Sequence, residues 1–189
     1  MKRRLFAGAV IAICLSMLAY GTLAYFRAEN TAHNVITSGD IDIVLQEWAD
    51  TDKTIPFPEE GVSGVMPGTE VTKIVEVKNT GGNAAWIRVS VEKAITLAEG
   101  MEGDVDLGLM TMDFDDTYWT EGGDGYYYYN QPLQPGEVTK PLFAAVSFDA
   151  SMPNLYQNST ATVNVTAYAV QWANNGSTVL EAAGWPDME

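Results

Sequence analysis

From residue 40 onward the apolar positions recur every second residue, the period of a strand rather than a helix. Ile41, Ile43 and Leu45 alternate with Asp40, Asp42 and Val44, which predicts a half-buried strand beginning after Ser38-Gly39. Residues 56–68, punctuated by Pro56, Pro58, Gly61, Gly64 and Pro67, read as loop. Met66-Pro67-Gly68-Thr69 then places proline and glycine at the two central positions of a type II turn, and Val71 to Lys78 follows as a strand. Asn79-Thr80-Gly81-Gly82-Asn83 is expected to turn the chain back into a hairpin. In the returning strand Ala85, Ile87, Val89 and Val91 line one face, and Trp86, Arg88, Ser90 and Glu92 the other.

Residues 94–106 hold no sustained period, whereas 107–114 and 117–119 resemble strand pieces. The turn Glu121-Gly122-Gly123-Asp124-Gly125 feeds four consecutive tyrosines, Tyr126 to Tyr129, which as a strand place two rings on each face. Leu133-Gln134-Pro135-Gly136-Glu137-Val138-Thr139-Lys140 partly echoes the earlier Met66 to Lys73, suggesting equivalent corners in two sheets. Leu142 to Phe148 continues as strand, and 152–157 as loop or a single helical turn. The longest alternation follows: Ala161, Val163, Val165, Ala167 and Ala169 against Thr162, Asn164, Thr166, Tyr168 and Val170. A turn at Asn174-Asn175-Gly176 leads to a short helix over 178–183, ended by Gly184 with Trp185 packed back. Strands at this density, with Pro-Gly turns and no alternating helices, predict an all-β fold: one antiparallel β-sandwich of jelly-roll type, residues 37–189, with neither a second domain nor a C-terminal anchor.

The N-terminus breaks the strand pattern. Lys2, Arg3 and Arg4 precede an apolar run from Leu5 to Leu18, and Gly21-Thr22-Leu23-Ala24 supplies small residues where a signal peptidase cuts. Residues 1–24 thus read as a hydrophobic signal helix cleaved between Ala24 and Tyr25, leaving a linking segment, 25–36, ahead of the domain. The run extended to Leu23 approaches the roughly 18 to 20 residues that span a bilayer, so a retained anchor is the alternative, and the chain's one route to a membrane. Cys14, the single cysteine, lies within the apolar run after Ile13, which does not suit lipidation. The processed chain would carry no thiol, and at this length it can bury a sufficient core without disulfides.

Charge narrows the function. Loss of residues 1–24 leaves seven basic against 25 acidic residues, a formal charge of −18. A surface so acidic repels phosphates and excludes nucleic acid as a partner. It suits an exported protein kept soluble by its charge, or one that gathers divalent cations loosely.

Catalytic signatures are sparse. No His-Glu-x-x-His occurs, and the single histidine, His33, lies in the linking segment. Serines and threonines are abundant but have no nucleophile elbow and no second histidine for acyl transfer, so the chain reads as non-enzymatic and without a cofactor. Calcium is the softer alternative: Asp113, Asp115 and Asp116, or Glu102, Asp104 and Asp106, offer hard oxygen ligands without EF-hand spacing, and a solvated acidic loop is the simpler reading. Trp119 with Tyr126, Tyr127, Tyr128 and Tyr129 could present rings to a carbohydrate or protein partner, although cross-strand aromatic pairing explains them more simply.

Several motifs taken together resemble one family. Gly21-Thr22-Leu23-Ala24-Tyr25-Phe26, Ile36-Thr37-Ser38-Gly39-Asp40-Ile41-Asp42-Ile43, Met66-Pro67-Gly68-Thr69, Val75 to Gly81 and Ala167 to Trp172 occur in the order seen in the TasA/camelysin proteins. The resemblance covers nearly the whole chain. It implies export from a Gram-positive bacterium, processing by a SipW-type signal peptidase, and a jelly-roll subunit of the extracellular or biofilm matrix. It also implies self-association, or association with related matrix subunits, in which the freed N-terminal segment completes a neighbour's sheet. Here that strand would be Tyr25 to Ile36, with Tyr25, Phe26, Val35 and Ile36 as its apolar positions. The alternatives are that the segment serves as an ordinary first strand of its own domain, and that the protein is an accessory surface module. Some members are called metallo-endopeptidases, which this chain's single histidine does not support.

Overall fold

The computed structural model describes residues 35–37, 41–58, 62–63 and 66–186; the expected signal segment 1–24 with Ala24, and Tyr25, Phe26 and His33, lie outside the described residues. Two sheets carry the fold. The first contains β1 (Val35–Thr37), β3 (Val62–Ser63), β5 (Ala85–Thr96), β7 (Trp119–Glu121), β8 (Tyr126–Tyr129) and β10 (Thr160–Gln171), in the order β1-β10-β5-β8-β7, with β3 also on β10. The second contains β2 (Ile43–Trp48), β4 (Glu70–Asn79), β6 (Met110–Met112) and β9 (Phe143–Phe148), in the order β2-β4-β9-β6. Every pairing is antiparallel except that of β1 with β10. The only helical elements among the described residues are 3₁₀ turns at Leu107–Leu109, Asn154–Tyr156 and Val179–Glu181.

The inner faces share one core. Ile43, Val75, Val77, Phe143 and Phe148 come from the four-stranded sheet, and Ile87, Val89, Val165, Ala167 and Ala169 from the six-stranded sheet. Among them Ile43, Ile87, Val89, Val165, Ala167 and Ala169 are the residues whose alternation marks them as inward-facing, so in those strands the period-2 pattern is set by the burial of one face.

The expected β4–β5 hairpin is not formed. β4 pairs with β2 and β9, and β5 with β10 and β8, so residues 80–84 carry the chain from one sheet to the other. Asn79 fixes this crossing. Its side chain is fully buried; Nδ2 donates to the carbonyls of Asn83 and Leu133, and Oδ1 accepts from Gly81 N–H. The Gly81 N–H also reaches the Asp42 carbonyl, and a Cβ on Gly81 would stand 2.8 Å from the Asp42 nitrogen. Two apolar strands in succession satisfy a face-to-face arrangement as well as a side-by-side one, and here the buried amide decides between them.

The two Pro-Gly corners are equivalent, but both lie in the four-stranded sheet. Thr69 N–H bonds to Met66 C=O and Glu137 N–H to Gln134 C=O, with Gly68 and Gly136 at φ of 74° and 82°. Each is the i+2 glycine of a type II turn. The corners stand at opposite ends of one antiparallel ladder between β4 and the chain from Val138 to Phe148. The predicted helix over 178–183 shortens to the 3₁₀ turn Val179–Glu181, while Gly184 takes a φ of 77° and Trp185 packs back as expected.

Candidate functional site

The edge of the six-stranded sheet at β10 is the feature best placed to take a partner strand. One side of β10 pairs along its full twelve residues with β5, from Thr160↔Thr96 to Gln171↔Ala85. The other side holds two short strands: β3 against Thr160 and Ala161, and β1 in parallel against Ala167, Tyr168 and Ala169. Among the described residues nothing pairs with positions 162–166 on that side. Val35 packs onto the core. Val35 and Ile36 thus pair with their own chain's β10, as a short first strand would.

The tyrosine strand is not a ring platform. Tyr127 and Tyr129 point into the main core, and Tyr126 and Tyr128 into a second cluster on the opposite face of the sheet. Trp119, 2% exposed, lies 5.0 Å from the Tyr129 ring and donates its indole N–H to the Lys140 carbonyl. Phe114 stacks on Tyr127 at 4.3 Å. Cross-strand pairing consumes much of these aromatic faces: Trp119, Tyr126, Tyr128 and Tyr129 are buried and Tyr127 half-buried, which leaves them little ring surface to offer a carbohydrate or partner. Burial also raises all four tyrosine pKa values above their ordinary 10.0.

The second cluster surrounds Arg88, which is 9% exposed. Its guanidinium lies 3.8 Å from the centre of the Tyr126 ring, 4.8 Å from Trp185 and 5.1 Å from Tyr168, and Nη2 donates to the Pro186 carbonyl. Beside it the Tyr128 hydroxyl donates to Asp124 at 2.6 Å, and that bond is the main reason the Asp124 carboxyl titrates below its ordinary 3.8. The outer face of the other sheet carries a polar counterpart under residues 49–58. Lys73, at a β-bulge between Thr72 and Val75, lies 2.6 Å from Glu47 and beneath the Phe57 ring, while Lys53 and the Trp48 indole reach Glu76. Desolvation lowers the Lys73 pKa from 10.5 against the pull of Glu47. The desolvation of such a pair offsets much of its mutual attraction, so it adds little net stability.

The acidic candidates serve the backbone. Asp113 Oδ1 accepts from Ala144 and Ala145 N–H, Asp115 Oδ1 from Thr117 and Tyr118 N–H, and Asp106 Oδ1 from Gly108 N–H. Asp116, Glu102 and Asp104 are exposed. Among the described residues no group of three His, Cys, Asp or Glu is placed to hold a metal ion, and no helix is long and apolar enough to cross a membrane.

Sequence reasoning passed over three of these features. β3 lies in what reads as loop, and Asn79 within what reads as a hairpin turn. Arg88 carries a recognisable signal, a charged residue between two core positions of an alternating strand, but its covering residues are about a hundred positions away.

The fold and site define a two-sheet β protein with a long strand near a sheet edge and no metal-holding set among the described residues. The chain belongs to the camelysin metallo-endopeptidase family, whose model matches residues 1–110, in agreement with the TasA/camelysin resemblance. The match runs from the start of the given sequence to the first residue of β6, so the motif Ala167 to Trp172 falls outside it. No curated protein matches the chain. The family's name implies a catalytic metal; the donors among the described residues do not fit one, because the carboxylates of Asp106, Asp113 and Asp115 are engaged by backbone amides, and His33 lies outside the described residues.

Proposed function

We propose that this is a secreted, non-enzymatic structural protein of the extracellular or biofilm matrix, a jelly-roll sandwich that assembles by strand complementation. In this reading a SipW-type signal peptidase removes the signal helix, residues 1–24, after Ala24. The freed segment from Tyr25 to Ile36 then adds to the β10 edge of a second copy or a related subunit at the Gram-positive cell surface. Neither calcium nor another cofactor is needed.

The observation that carries this reading is the meeting of β1 and β10. The last two residues of the linking segment, Val35 and Ile36, already lie with Thr37 as a short strand on the edge of a twelve-residue strand. A short parallel pairing forms few ladder bonds, and a longer register on a neighbour would form more. Family membership supports an exported, surface-associated protein.

Deleting residues 25–36 tests it. Assembly should be lost while the far-ultraviolet spectrum of the sheets is kept; undiminished assembly of the deletion variant would contradict the proposal. Chelator-sensitive cleavage of a generic protein would instead revive the peptidase reading.

A further inference from the structure

Residues 172–186 form a C-terminal strap over the outer face of the six-stranded sheet. Among the described residues the strap forms no strand pairing. Two side-chain donors of the sheet hold it, both to backbone carbonyls: Trp86 Nε1 to Asn175 at 2.7 Å and Arg88 Nη2 to Pro186 at 2.9 Å. Val179 and Trp185 fill the apolar remainder, with the Trp185 ring 6.0 Å from Tyr128. The seat is therefore specific and buried, yet tied to the sheet by contacts that an identical segment reproduces in full.

The connection is short and turned. Trp172 N–H bonds to Ala84 C=O, Asn174 takes a φ of 59°, and Gly176 a φ of 82°. Two of the large apolar side chains left exposed lie on this segment, Trp172 at 41% and Leu180 at 59%. Trp172 stands at the hinge, where two exchanging copies would meet. Exchange of a terminal element conserves the closed monomer's contacts and adds a new hinge contact, at the cost of association entropy.

We propose that the strap is exchangeable, so that the Trp86–Arg88 face is an interface whose occupant is the strap of a second copy of this chain. The face needs a strap because removing one would return to water the ring and apolar surface of Trp86, Tyr126, Tyr128, Tyr168 and Val170 that Val179 and Trp185 cover. It does not require that strap to be its own. This route is independent of the N-terminal segment and would link subunits through the opposite terminus.

Complementary variants of residues 25–189, carrying an extension before Tyr25 to close the N-terminal route, test the exchange. One carries Arg88→Ala and Trp86→Phe, damaging the seat; the other carries Val179→Ala and Trp185→Ala, damaging the strap. Mixing should give a dimer by light scattering that neither gives alone. Monomers in the mixture, or equal dimers in each variant separately, would overturn the proposal. A third variant with an intact seat and strap but lacking Ala173 and Asn174 guards against misfolding. Its strap falls short of its own seat and should dimerise; a monomer with a strap open to protease would also overturn exchange.

Discussion

The Gly136 N–H donates to the Asn79 carbonyl at 2.9 Å, and at the other end of the same ladder Gly68 N–H donates to Phe148 at the same distance. The return bonds match as well, Asn79 N–H to Glu137 and Phe148 N–H to Thr69. Each Pro-Gly turn thus begins one strand and closes the end of the other, which gives the four-stranded sheet an internal two-fold relationship. Asn79 has a second task at its end, the crossing into β5. Replacing it by alanine removes three side-chain bonds in a fully buried place, and we expect a loss of about 3 kcal/mol in denaturant unfolding. A loss of under about 1 kcal/mol would show that the backbone holds the crossing unaided.

The glycines separate conformational strain from crowding. A Cβ at Gly136 meets nothing within 4 Å, so Gly136→Ala should cost only the left-handed backbone, about 1 to 2 kcal/mol. At Gly176 the same atom would stand 2.9 Å from Thr178 O and 3.0 Å from Glu181 C. Gly176→Ala should therefore also open the strap, which proteolysis at Glu181 would report as faster cleavage than in Gly136→Ala. Equal cleavage rates would count against the strap's dependence on this turn.

Within the described residues, strand positions and core faces were legible because period 2 reports burial directly: Ile41, Ile43, Ile87, Val89, Ala167 and Ala169 fall where the alternation puts them. Partnership was not legible. Val77 and Ile87 carry the same apolar signal whether they lie side by side or face to face, and the answer depends on Asn79, whose partner Leu133 is 54 residues away. The aromatic residues misled for a related reason. Tyr126 and Tyr128 look outward-facing in a two-layer scheme, and only the distant Val179 and Trp185 make that face a second core.

Arg88 is the keystone of that second core. Arg88→Met keeps much of the stem volume but removes the stacked charge and the donor to Pro186. We expect a stability loss of about 2 kcal/mol, with increased cleavage at Glu181. An unchanged cleavage rate would mean that the apolar contacts of Val179 and Trp185 suffice.

Stability should plateau across neutral pH and fall at both ends. The three buried tyrosines of β8 and the half-buried Tyr127 have folded pKa values above 10.0, so their contribution is complete below pH 10 and lost as pH rises through the raised values. Asp124 is lowered below 3.8, so its contribution is present above that pH and lost as pH falls through the lowered value. Lys73 acts in the opposite sense, gaining stability as pH climbs toward 10.5. Tyrosine absorbance at 295 nm followed alongside urea midpoints should show these rings ionising above pH 10 in the folded protein. Asp124→Asn should flatten the acid limb; an unchanged acid limb would remove Asp124 from the account.

The central claim is that the freed N-terminal segment links subunits. Residues 25–189 with a free Tyr25, beside the same chain with an extension before Tyr25, should be followed by light scattering and electron microscopy. Linkage through the freed segment should give fibres or large oligomers only from the free form. Monomers from both, or equal assembly by both, would contradict it.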